Sequence, residues 1–360
     1  MKNFKLMLLV LLVLVMMAMI VGCSGDSEIV PEESSSEPEE TTETEETVDE
    51  EPEVEAIEIT LGHQMTPEST EGRAYQYFAD LVSERSGGSL EIILYPAEQL
   101  GDSKSQIEST LIGTQDIVAT GASLFSRFDS IFSTLTIPFL FEDNSKFSEL
   151  MQGEVGQKQA QSLKDNGLVL VNPARNMMRG PYRVLVSKEP IESVDDIEGL
   201  RFRTYENEIY MNAWKTLGAN PIIIPWGETY MALMQDTVEA VVSPMSLLYS
   251  MKFTEEAKYV TAIYEYTSDC IWAMNQDKFN TLTEEQQEII FQAAGEAGEY
   301  LTELDEASVQ DNIKKMQDEN GAVFTEIDTD PFREKLTDYY YELVEEGVLP
   351  EELVNDALGK

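Results

Sequence analysis

Histidine and cysteine are nearly missing from this chain of 360 residues, which carries one histidine, His63, and two cysteines, Cys23 and Cys270. Structural zinc, haem attachment and Cys/His catalytic sets need clustered thiolates and imidazoles, so those readings fall together and no metal or cofactor is expected. Basic side chains are also few: 24 Lys and Arg stand against 68 Asp and Glu, a net charge of −44. Such a surface repels a polyphosphate backbone and excludes nucleic acid as a partner. The sequence has no Gly-x-Ser-x-Gly elbow and no Gly-rich phosphate loop ending in Lys-Ser/Thr, which removes the usual signatures of a serine hydrolase and of ATP use.

What is present begins with an export signal. Lys2 and Lys5 precede sixteen apolar residues from Leu6 to Val21, long enough for a signal-peptide core and short for a membrane span. The run ends at Ile20-Val21-Gly22-Cys23, which resembles the bacterial lipoprotein signal. That resemblance implies removal of residues 1–22, acylation (palmitate among the chains) of Cys23, and an extracytoplasmic protein anchored on the outer face of the cell membrane. Residues 24–55 then hold fifteen acidic residues and no basic one among Ser, Thr and Pro, so 23–55 reads as a lipid-anchored, unfolded acidic linker. The remainder still holds 22 basic and 53 acidic residues, a net charge of −31. With Cys23 acylated, Cys270 has no partner, and its apolar setting in Asp269-Cys270-Ile271-Trp272 reads as core.

From residue 56 the periodicity alternates between strand and helix. Strands are expected at Ala56–Gly62, Leu90–Tyr95, Ile117–Thr120, Leu168–Asn172, Arg183–Val186, Arg201–Tyr205, Ile222–Ile224 and Val238–Val242. Helices are expected at Glu71–Ser86 and Ser103–Gly113, then over Thr283–Asn320, where Thr283 and Gln286 have capping-box spacing, and over Asp330–Glu346, opened by Pro331. This grammar predicts an α/β fold of parallel-type sheets with helices on both faces and an all-helical end. Two such lobes in an exported, tethered chain suggest a cleft for a small solute.

Five of the nine arginines, Arg175, Arg179, Arg183, Arg201 and Arg203, fall within 29 residues. Arg201 and Arg203 flank Phe202, so an extended strand turns both to one face and Phe202 into a core. Guanidinium matches a carboxylate with two parallel charge-assisted hydrogen bonds, which points to an organic anion as guest. The opposing reading is that these arginines answer neighbouring acids, since Glu192, Asp195, Asp196 and Glu198 lie between them. Arg183 and Arg203 are expected to converge from neighbouring strands. Trp226 follows the strand Ile222–Ile224 and His63 follows the first strand, both at carboxyl ends where ligands of open α/β sheets sit; each also has a structural reading, as a core tryptophan and as a hydrogen-bonded core histidine.

Several motifs then recur in order: Glu98-Gln99-Leu100-Gly101, Ile137-Pro138-Phe139-Leu140-Phe141, Gly199-Leu200-Arg201-Phe202-Arg203, Leu217-Gly218-Ala219-Asn220-Pro221 and Glu228-Thr229-Tyr230-Met231-Ala232-Leu233. Over 56–345 the chain resembles the DctP-type solute-binding subunits of TRAP (tripartite ATP-independent periplasmic) transporters. The resemblance implies a two-lobed, type II periplasmic-binding-protein-like α/β fold with hinge segments and a long C-terminal helical region. It places lobe I at 56–180 and about 269–308, lobe II at 181–268 and about 309–330, and helices packing on the lobes at 331–360. It further implies that Arg203 pairs with a ligand carboxylate, that Arg183 is a second arginine of the site, that Trp226 stacks on the ligand, and that Ser243 and Glu206 are polar contacts. His63 joins this set from its place after the first strand.

The chain departs from the family at Glu239-Ala240-Val241-Val242-Ser243-Pro244, where apolar residues replace customary polar ones. Gly121 and Leu124 stand where sialic-acid binders supply charged contacts, which disfavours that substrate. The expected function is capture of a small organic acid without chemistry, and delivery to the small and large membrane subunits of an ion-driven permease. The rival readings are a surface lipoprotein that presents a ligand to a chemoreceptor or sensor, and a secreted hydrolase.

Overall fold

The computed structural model of the protein describes residues 56–141 and 144–360; the leader, Cys23 and the acidic linker lie outside the described residues. Strands β1 (Ile57–His63), β2 (Leu90–Tyr95), β3 (Ile117–Gly121), β4 (Leu168–Leu170) and β5 (Met178–Arg179) come first. They are followed by β6 (Arg183–Ser187), β7 (Arg201–Thr204), β8 (Asn220–Ile223), β9 (Ala240–Pro244), β10 (Tyr259–Ala262), β11 (Ser268–Asn275) and β12 (Val323–Glu326). One sheet has the order β2-β1-β3-β11-β4 with β5 beside β11, and the other the order β12-β10-β6-β9-β7-β8.

The sheets are not purely of the expected parallel type. β1 pairs in parallel with β2 and β3, and β7 with β8 and β9, but β11 is antiparallel to β3, β4 and β5, and β6 is antiparallel to β9 and β10. The reason is topological. β6 and β11 each follow a direct passage of the chain from one sheet to the other with no helix in between, so no helical crossover precedes them to restore the direction of their neighbours.

Each sheet is sealed by amphipathic helices. Helix Thr70–Arg85 is opened by Ser69, whose hydroxyl accepts from the Gly72 N–H, and it lays Tyr75, Phe78 and Val82 on the first sheet with the Phe78 ring 4.8 Å from Trp272. In the second sheet Phe202 points away from its arginine neighbours and stacks on Trp214 of helix Glu208–Thr216 at 4.2 Å. Burying rings of this size contributes about 2–3 kcal/mol each. Cys270 is fully buried on β11, and burial pushes its thiol up to about 12, so it behaves as a small apolar core residue.

The capping box of Thr283 and Gln286 is formed, and it opens a helix of 37 residues, Glu284–Asn320, which stops at Gly321 in the left-handed region (φ 64°). This helix packs on Thr70–Arg85 beside the first sheet and also against Met245–Leu247 and Phe253–Glu256 beside the second. The end of the chain is not wholly helical, because β12 intervenes and pairs with β10 before helices Asp330–Glu345 and Glu351–Ala357. Tyr340 of the first of these donates to the Pro138 carbonyl at 2.7 Å, tying it to the Ile137–Phe141 segment. Among the described residues no helix is long and apolar enough to cross a membrane.

Candidate functional site

Between the two sheets lies a cavity of about 550 Å³. Gln64, Ser103 and Gly121 line it from the first sheet and its helices, Arg203, Trp226 and Pro244 from the second, and Arg179, Arg183 and Tyr266 from the segments that pass between them. Because β6 runs antiparallel to β9 and β7 parallel to it, the start of β6 and the end of β7 lie at the same edge. Arg183 and Arg203 therefore converge with β9 between them, not from adjacent strands.

The five clustered arginines have separated into different roles. Arg175 is buried and holds Asp269 with Nε at 2.9 Å and with Nη2, while Nη1 donates to Gln159 at 2.7 Å. Arg179 makes a bidentate pair with Glu71, Nε to Oε2 at 2.8 Å and Nη2 to Oε1 at 2.7 Å, and Glu71 also accepts from the Tyr75 hydroxyl. Its Nη1 lies where Gly121 leaves room, since a Cβ there would stand 3.1 Å away. Arg183 gives Nε to Glu265 at 3.1 Å and lays its guanidinium 4.3 Å from the Tyr266 ring. Arg201, at the far end of β7, pairs at the surface with Glu239; the expected paired cationic face of Arg201 and Arg203 is thus not part of the cavity, since the pleat gives them one face but about 7 Å of strand separates them. None of these partners belongs to the nearby acids Glu192 to Glu198.

Arg203 differs from all of these. It is buried, its Nε donates to the Ile224 carbonyl at 3.0 Å, and its guanidinium lies 5.2 Å from the Trp226 ring. It makes no ion pair among the described residues. Desolvation lowers it to about 10, against the stabilising tyrosines Tyr210 and Tyr205, which leaves it charged at neutral pH. Trp226 packs edge-on against Phe253 at 5.3 Å and also lines the cavity, while its indole N–H is buried without a hydrogen-bond partner.

Three other expected contacts fall differently. His63 does not line the cavity. Its ring is buried 4.2 Å from Tyr75 and its Nδ1 accepts from the Met65 N–H; burial drives its pKa down to about 4, so it is a neutral core residue, and the cavity is reached by Gln64 and Met65 after it. Ser243 is also off the cavity, because alternation along β9 turns Val242 and Pro244 to it and leaves the Ser243 hydroxyl donating to the Pro244 carbonyl. Glu206 lines the rim, but its carboxylate is taken by Lys104 at 2.9 Å, a pair with both members exposed. Gly121 and Leu124 do line the cavity.

The arrangement also contains residues not singled out as contacts from the sequence: Tyr205, Tyr266 and Glu98. The tyrosine hydroxyls lie 3.1 Å apart at the cavity wall. Glu98 reaches across from the first sheet to accept from the Gly227 N–H at 3.2 Å, and burial raises its carboxyl above the ordinary range. The signal that could have marked it is its place at the head of the Glu98-Gln99-Leu100-Gly101 motif; in the fold it follows Ala97 with both residues at positive φ. Among the described residues no cluster of three or more His, Cys, Asp or Glu could hold a metal ion.

Comparison with known proteins gives a consistent answer. The profile of bacterial extracellular solute-binding protein family 7, DctP, matches residues 61–346. The chain is 30% identical over 281 residues to the 2,3-diketo-L-gulonate-binding periplasmic protein YiaO of Escherichia coli K12, covering 78% of this chain and 85% of that one. Among solved structures it superposes on a TRAP periplasmic solute-binding protein of Ochrobacterium anthropi with bound L-fuconate, with a TM-score of 0.77, 27% identity, and coverage of 84% and 98%. A TRAP solute-binding protein of Chromohalobacter salexigens with bound D-glucuronate gives a TM-score of 0.75, 25% identity, and coverage of 83% and 98%.

Proposed function

Because the chain belongs to bacterial extracellular solute-binding protein family 7, we propose that it captures a small sugar acid or related carboxylate between its two sheets, with the Arg203 guanidinium as the group that holds the carboxylate. The observation that carries this reading is a buried guanidinium with no ion pair among the described residues, facing a cavity of about 550 Å³. A buried cation of that kind favours an anionic guest, and the fork supplies two parallel hydrogen bonds to it. The outer nitrogens of Arg183 and Nη1 of Arg179 add neutral-pair donors for further oxygens, while the ring of Trp226 forms one wall. Nothing in this set performs a reaction; it binds. Relatives that carry diketo-gulonate, fuconate and glucuronate in their names support the sugar-acid class.

The captured acid passes to the small and large membrane subunits of a TRAP permease, with residues 56–180 and about 269–308 as one lobe, 181–268 and about 309–330 as the other, and Cys23 as the lipid anchor on the outer face of the membrane. Titration calorimetry of the purified protein with C4–C6 sugar acids tests the binding reading. Selective binding that disappears in Arg203→Ala supports it, and binding that survives the substitution undoes it. Solute uptake into vesicles holding the permease, dependent on added protein and on an ion gradient without ATP, tests delivery.

A further inference from the structure

Five cationic side chains line the cavity, and four of them already have a carboxylate. Lys104 pairs with Glu206 at 2.9 Å and Arg127 with Glu108 at 3.0 Å on the exposed rim, while Arg179 pairs with Glu71 at 2.7 Å and Arg183 with Glu265 at 3.1 Å in the interior wall. The rim pairs are wet and screened. The interior ones are fixed, with side-chain exposures of 8% or less. Three guanidiniums and two carboxylates thus leave one positive charge, that of Arg203. On the other side of the balance, Glu98, Asp102 and Glu208 line the cavity with no salt bridge among the described residues.

Resting on the reading that the cavity takes an organic acid, we propose that it accepts monoanions and turns away dianions, and that Glu265 is the residue that sets this limit. Glu265 does not touch the cavity. It is fully buried behind Arg183, with Oε1 accepting from Trp214 Nε1 at 2.7 Å and Oε2 from Arg183 Nε. Burial pushes the Glu265 carboxyl up, while the Arg183 charge and the donors Tyr210, Trp214 and Arg183 pull it the other way; ionised against that guanidinium, it cancels the charge of Arg183 and leaves its outer two nitrogens as hydrogen-bond donors. A second carboxylate on the guest would lose its hydration against a guanidinium whose charge is already spent, in a cavity whose lining also carries Glu98, Asp102 and Glu208. A hydroxyl in the same place accepts from the outer nitrogens of Arg183 at no such cost. The preferred guest therefore carries one carboxylate at Arg203 and hydroxyls along the rest of its length.

The test uses matched pairs that differ only in oxidation of the terminal carbon: threonate and tartrate, gluconate and glucarate, galactonate and galactarate. Calorimetry on the purified full chain is expected to show the aldonate bound at least about thirtyfold more tightly than its aldarate in each pair where either binds. In Glu265→Gln the aldarate gains and the ratio narrows at least about tenfold, a change that mere loosening of the fold would not produce because it would weaken both. Equal or tighter binding of aldarates by the native protein, or an unchanged ratio in the variant, overturns the proposal. Should the variant fail to fold, the native ratio still decides whether dianions are refused. Binding of neither class, or binding that ignores Arg203→Ala, removes instead the reading on which it rests.

Discussion

Arg175, Arg179 and Arg183, on the segment that leaves the first sheet, and Arg203, on β7 of the second, are the same side chain in two energetic settings. The first three are each met by a carboxylate from a distant part of the chain, Asp269, Glu71 and Glu265. They fasten the passage between the sheets. Arg203 is as buried as they are, yet its Nε reaches only a backbone carbonyl. Burial of an arginine is therefore not itself a mark of function here; what separates anchor from receptor is whether the fold brings an acid to it.

The comparison can be broken most sharply at Arg175. Arg175→Met leaves Asp269 buried without its partner and is expected to cost roughly 3–5 kcal/mol of stability in urea unfolding, while ligand affinity of the folded fraction stays within about twofold; a large loss of affinity would erase the distinction. Arg203→Ala should do the reverse, lowering affinity about a hundredfold, on the order of 3 kcal/mol, without lowering the melting temperature of the free protein. Arg203→Lys keeps charge but not the fork and stays impaired in the same calorimetric assay.

A third prediction concerns Asp305, whose Oδ2 accepts from the Gly180 N–H where the chain passes between sheets. Burial raises its carboxyl from 3.8 to about 7, with Thr70, Gly180 and Ser246 pulling the other way. The folded chain keeps a proton there that the unfolded chain releases. This group's contribution is fully present below about pH 4 and is lost as pH rises through about 7, so native stability relative to Asp305→Asn should fall by roughly 1–4 kcal/mol across that window in urea midpoints. The smallest effect is expected at the rim: Glu206→Gln breaks the exposed pair with Lys104 and should change affinity by under about 1 kcal/mol, less in high salt. A tenfold loss at Glu206 would make it a ligand contact.

Much of this was legible in the sequence. Alternation around Phe202 put Arg203 on one face and a core ring on the other, the strand end before Trp226 put it at the cavity, and the Thr283 and Gln286 spacing opened the long helix. What could not be read is where register and long-range pairing decide. Ser243 and Val242 exchange cavity for core with a one-residue shift of the pleat, and nothing local fixes which one faces inward. The partners of Arg175, Arg179 and Arg183 lie 94, 108 and 82 residues away, so the acids adjacent in sequence were the wrong ones to consider. His63 stands at a strand end like Trp226, but Tyr75 of the covering helix folds over it.

Gly121 has a consequence of its own. Its backbone, at φ −57° and ψ 135°, suits any amino acid, so what glycine provides there is room, at the floor of the chamber under Arg179. Ala, Ser and Val at that position would raise the floor by one, two and three heavy atoms, and the carbon number of the best-bound acid should shorten in step. A single position thus offers a ruler for the length of the solute.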